Sequence, residues 1–139
     1  MGGRKQPLPA DRRRSVRGQS IAELALLLPL LTMILLGGVD LGRAYYFYSG
    51  VANATRVGAQ YAIDPRTDPN EVKNAIIVEA SPYVALTPDK ITFTAPYGWV
   101  SGEDLTVQVQ YDFHFLTPFA GNLWGDPIVM TYDATVRFE

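Results

Sequence analysis

Few side chains in this 139-residue sequence are placed to do chemistry. His114 is the lone histidine and cysteine is absent. Disulfides, thiolate zinc sites and Cys nucleophiles are therefore excluded, a two-His metal site is impossible, and a Ser–His–Asp arrangement would hang on His114 alone. His114 falls on the outward face of an alternating segment and nothing in the sequence partners it. It reads as a surface residue, not a catalytic base. Asp64, Asp68, Asn70 and Glu71 form an oxygen-rich group. Their spacing fits no calcium loop, and turn formation and helix capping account for them more cheaply. No phosphate loop, metal motif or nucleophile elbow occurs. The composition leans away from enzymes, and no cofactor and no metal are expected. Glu23 stands apart: it is a carboxylate at the edge of a long apolar run, an expensive position unless the charge is paired.

That run is residues 24–39, LALLLPLLTMILLGGV, uncharged throughout and bounded by Glu23 and Asp40. As a helix it spans roughly 24 Å, and including Ser20 to Glu23 makes it long enough for a bilayer core. Residues 1–18 carry a net +5 from Arg4, Lys5, Arg12, Arg13, Arg14 and Arg17 against Asp11, and the remainder carries −7. Basic residues before a membrane helix place the N-terminus in the cytoplasm and the acidic body outside, so the arginines are not read as a nucleic-acid arm and no nucleic-acid partner is expected. Asp40, Arg43 and the run Tyr45-Tyr46-Phe47-Tyr48 fit the outer interface.

Pro29 inside the run predicts a kink. Gly38 and Gly42 form a Gly-x-x-x-Gly pair, and Gly50, Ala54, Gly58 and Ala62 continue the four-residue spacing. Small residues so spaced let another helix approach closely, so these positions predict helix-on-helix packing. Helix-forming residues continue to Ala62, which predicts one long helix from about Gln19. The prolines and aspartates of 64–69 end it, and Asp68-Pro69 opens a short helix over about 69–81. Three alternating segments follow, near 91–95, 105–115 and 128–139, and predict an antiparallel sheet with one wet face. Residues 96–103 and 116–127 read as loops. The fold class is therefore α+β: a long N-terminal membrane-spanning helix, then a small head with a short helix and about three antiparallel strands. The divisions are a basic leader (1–18), the membrane and extended helix (19–63) and an extracytoplasmic head (64–139).

The junction Arg17-Gly18-Gln19-Ser20-Ile21-Ala22-Glu23-Leu24 is unlike an ordinary secretory signal, whose cleavage site follows the apolar stretch. A basic leader here ends in glycine directly before that stretch, with a glutamate five residues past the glycine. This resembles the prepilin signal, cut after the glycine by a membrane aspartic peptidase. The resemblance implies that Gly18 ends the leader, that Gln19 is the new N-terminus and that Glu23 is the fifth mature residue. A free amine at Gln19 and the Glu23 carboxylate, four residues apart, lie on one helix face and neutralise each other, or the carboxylate meets a neighbouring subunit's amine.

With Pro29, the Asp40, Gly42-Arg43 element and Ala54-Thr55-Arg56-Val57-Gly58-Ala59, the junction resembles the TadE-like family, minor pilins or pseudopilins of tight-adherence (Flp-type) pilus systems. Leu24 and Thr55 depart from that family's usual Phe and Ala. The resemblance covers about residues 17–62. It implies a structural subunit of a type IV-like pilus or secretion system, assembled through its N-terminal helix. The implied partners are the prepilin peptidase, other pilin or pseudopilin subunits, the Tad assembly machinery and membrane lipid. The implied location is the bacterial inner membrane, with the head extracytoplasmic or in an extracellular pilus. The alternative is an uncleaved single-pass envelope protein with an adhesive or binding head. A soluble domain released by ordinary signal peptidase is a third reading, for which Gly42-Arg43-Ala44 offers a poor cleavage site.

Overall fold

The computed structural model describes residues 13–139, with side chains from Gly18 onward. Most of the basic leader, including Arg4, Lys5, Asp11 and Arg12, lies outside the described residues, as do the side chains of Arg13, Arg14 and Arg17. The chain divides into two compact units, one ending at Leu36 and one running from Gly37 to Glu139.

Helix α1 spans Arg13–Tyr61 and is uninterrupted through Pro29. It begins six residues before Gln19, where the expected helix started. Arginine is a good helix former, and a single glycine costs only about 1 kcal/mol, so nothing local stops the helix at Gly18. In the first unit the large apolar side chains from Ile21 to Leu36 are exposed. An apolar surface on every side is what lipid accepts and water does not. The hydroxyl of Thr32 is satisfied within the helix by the Leu28 carbonyl at 2.8 Å, as a hydrocarbon environment requires.

The second unit is an α+β head. Helix α2 spans Pro69–Ala80; Asp68 caps it by accepting from the Asn70 N–H, and Pro69 opens it. A 3-10 turn at Pro88–Lys90 leads into strand β1, Ile91–Thr94. Strand β2 is Asp104–Phe113 and strand β3 is Ile128–Arg137. The sheet is antiparallel in the order β1-β2-β3, with Ile91 opposite Val109 and Val109 opposite Tyr132. The expected alternation holds on β2, where Leu105, Val107 and Val109 are buried and their neighbours are not. The core gathers the outer part of α1, one face of α2 and the inner face of the sheet around Ile76, Leu105, Val107 and Phe138.

One element departs from the sequence reading. Residues within 116–127, read as loop, contain helix α3, Pro118–Trp124. Proline at its first position and Gly125 just beyond its end, at φ +87, explain the boundaries: the ring preorganises the first turn, and glycine alone takes that positive φ without strain.

Candidate functional site

Two groups of residues merit a functional reading. The first is the Gly18–Glu23 junction. The helical geometry of α1 puts Gln19 and Glu23 on one face, and the Gln19 Nε2 donates to Glu23 Oε1 at 3.0 Å. Both side chains are exposed. The Gly18–Gln19 peptide bond lies inside the helix.

The second is the Asp40–Arg43 element, which the sequence reading set at the outer interface. Asp40 is 3% exposed. Its carboxylate turns into the head and accepts from the Leu116 N–H at 2.8 Å and the Thr117 N–H at 3.0 Å, 76 and 77 residues further along the chain. Thr117 is the residue from which α3 starts, and its own side chain makes no cap bond. Asp40 therefore holds the two main-chain donors that lead into α3. Arg43, three residues on, reaches Asp40 Oδ1 at 3.3 Å and the His114 carbonyl at 3.4 Å. Its guanidinium also sits 5.5 Å from the ring centres of both Phe47 and Phe113, a favourable cation–π position. The element is a latch fastening α1 to residues 114–117.

The electrostatics fit that role. Burial alone would push the Asp40 carboxyl up, but its donors and the Arg43 charge outweigh burial and hold it below the ordinary aspartate value. The Thr117 hydroxyl lies beside the carboxylate but makes no hydrogen bond of good geometry and is left buried and unsatisfied. The two backbone N–H groups and Arg43 therefore carry the hold.

The small-residue positions have two different surroundings. A side chain at Gly58 would overlap Ile76 of α2, and one at Gly50 would overlap the Tyr83 ring. Ala54 and Ala62 are fully buried in the core. The stripe from Gly50 to Ala62 thus meets the chain's own head. At Gly38 and Gly42, by contrast, a Cβ would meet nothing within 4 Å. Pro29 lies among exposed apolar residues of the first unit. Thr55 is buried too, its hydroxyl satisfied by the Val51 carbonyl at 2.7 Å, which is how a polar residue fits a core position usually held by Ala in the resembled pattern.

His114 is exposed, as expected, but it has a partner: Nδ1 lies 3.3 Å from Asp126 Oδ1. Among the described residues no group of acidic, His or Cys side chains is arranged to hold a metal ion.

Among the described residues one helix, running from Gly18 to Tyr61, is long and apolar enough to cross a bilayer, and with the small α+β head it supports a single-pass membrane protein. Residues 18–60 match the family model described as TadE-like protein, and over that segment the chain is similar to the TadE-like family. That similarity and the long apolar helix fit a membrane-anchored, Tad-associated protein. No curated protein and no solved structure matches the chain.

Proposed function

We propose that this protein is a minor pilin or pseudopilin that takes part in assembly of a tight-adherence pilus and is matured by cleavage after Gly18. The observation that carries this reading is the order basic leader, Gly18-Gln19, Glu23, apolar run, in which the part from Gly18 onward matches the TadE-like family model. Helical spacing supports the role of Glu23. A carboxylate entering a membrane needs a positive partner, and an amine exposed at Gln19 by cleavage lies one turn away. In this reading prepilin peptidase removes the leader. The apolar helix then holds the subunit in the inner membrane, with the leader side cytoplasmic and the head extracytoplasmic. Contacts along α1 join it to other pilin subunits and the assembly machinery. The role is structural: α1 supplies attachment and the head supplies specificity.

A second reading, an uncleaved single-pass envelope protein with a binding head, draws support from the helix continuing unbroken through the Gly18–Gln19 bond to Arg13. One measurement separates them: intact mass and N-terminal sequencing of the protein in its native membranes. A chain starting at Gln19 supports the pilin reading, and a chain retaining its leader overturns it. In the pilin reading Gly18→Leu leaves full-length protein in the membrane. Glu23→Ala is still cleaved but fails to assemble. Normal pilus formation by both variants refutes the proposal.

A further inference from the structure

Helix α3 exposes an apolar surface that the head does not use. Phe119 is 56% exposed, Leu123 61% and Trp124 66%. Leu116, just before the helix, and Val129, just after it, are also exposed. No charged residue occurs from Phe115 to Gly125. A short helix with three large apolar side chains turned outward and no charge to solvate them is unfavourable against water. Its place in the chain says what covers it. Asp40, which holds the Leu116 and Thr117 N–H groups, is covalently next to Val39, the last residue of the uncharged run. The start of α3 is thereby tied by hydrogen bonds to the residue at which the polypeptide leaves the hydrocarbon. That is the depth at which amphipathic rings such as Trp settle. Leu41 and Tyr45, on α1 just beyond the latch, are likewise exposed.

We infer that α3 is a lipid-contacting foot: Phe119, Leu123 and Trp124 seat in the headgroup and upper acyl region of the outer leaflet, with the Asp40 latch setting their depth. The inference rests on the membrane-anchored reading but not on cleavage at Gly18. The foot gives a head on a single helix a second point of membrane contact, limiting its tilt and rotation about α1. The apolar area of so few residues adds to an existing anchor and does not replace it.

The two tryptophans allow a test with an internal control. Trp99 packs between Phe93 and Phe138 at the Asp104 end of β2, and Trp124 contacts Phe115 beyond the other end; the strand between them is about 30 Å long. Full-length Trp99→Phe and Trp124→Phe proteins are reconstituted into phosphatidylcholine vesicles brominated near the top of the acyl chains. Vesicle flotation separately reports whether the chain is anchored at all. The expected result is loss of most of the Trp124 emission and little change in that of Trp99. Equal, weak quenching of both tryptophans in floating vesicles overturns the foot while leaving the anchor intact. Trp124 emission that is shielded from lipid, and becomes exposed when the protein is diluted into excess lipid, also overturns it, because a second copy then covers α3. Because the chain has no cysteine, a spin label on Leu123→Cys gives an independent reading at an exposed site. Its nitroxide is expected to be more accessible to oxygen than to a water-soluble nickel complex. The opposite order refutes the inference.

Discussion

Replacing Asp40 by alanine removes the acceptor for two main-chain donors at once, and the outcome can be worked from their surroundings. Leu116 is exposed, so its N–H turns to water at small cost. Thr117 is buried, and an orphaned buried N–H costs about 1–3 kcal/mol. Arg43 also loses its carboxylate, worth roughly 1 kcal/mol for a partly exposed pair. Asp40→Ala is therefore expected to destabilise the head by about 2–4 kcal/mol. For a unit the size of Gly37–Glu139 that corresponds to a melting temperature lower by on the order of 10–20 °C. The damage is also local. Hydrogen exchange on the full chain in detergent micelles should show the amides of Leu116, Thr117 and the following turn losing protection, while the β2 amides keep theirs up to the global limit. Asp40→Asn preserves shape and one acceptor oxygen but turns an NH2 toward the second N–H. It is expected to cost about half as much, since one of the two donors keeps its partner. Unchanged protection at 116–117 and an unchanged melting temperature in Asp40→Ala would refute the latch.

The same carboxylate gives a pH prediction. Its folded value lies below the ordinary 3.8, so its stabilisation is fully present above that value and drains away as pH falls through the lower folded value. Protection at Leu116 and Thr117 should therefore decline in acid in the wild type and be independent of pH over that window in Asp40→Asn. At Gly58, even alanine must displace Ile76, and Gly58→Ala should destabilise the head by about 1–3 kcal/mol in thermal melts. Ile76→Ala, which empties a fully buried site on α2, should cost about 2–5 kcal/mol by the same measurement. Gly38→Leu and Gly42→Leu put a better helix former where a Cβ meets nothing within 4 Å, and should not lower the melting temperature. In the pilin reading they reduce pilus assembly, scored by surface pili in a complemented deletion strain.

What the sequence reveals here is what depends on neighbours along the chain. An uncharged run needs no partner to be recognised. Alternation on β2 and β3 repeats every two residues, so the buried face can be assigned before pairing is known. The Asp68-Pro69 start of α2 is likewise a local signal. Helix α3 also has one, Thr117-Pro118 before and Gly125 after, but its short run carries no apolar period that separates it from a loop. The expected start of α1 at about Gln19 falls short of Arg13, because backbone physics carries the helix on through Gly18. The partners of Asp40 were the larger miss. Next to a membrane run, a carboxylate reads as an interfacial marker, and its actual partners are 76 and 77 residues away. The Asp126 partner of His114 is nearer, yet it depends on how α3 returns the chain to β3.

The Asp40, Gly42, Arg43 group then divides by physical cause. The i, i+3 spacing of Asp40 and Arg43 lets one guanidinium reach both the carboxylate and the His114 carbonyl, and the two carboxylate oxygens satisfy the Leu116 and Thr117 N–H groups together. The head therefore accounts for these two residues. It does not account for Gly42, where a Cβ would touch nothing within 4 Å and where alanine would make the better helix by about 1 kcal/mol. Gly50 and Gly58 show the contrast: their missing side chains are filled by Tyr83 and Ile76 of the same chain. In the proposed pilin reading, Gly42 and Gly38 one helical turn earlier are the positions at which a neighbouring helix comes close to α1.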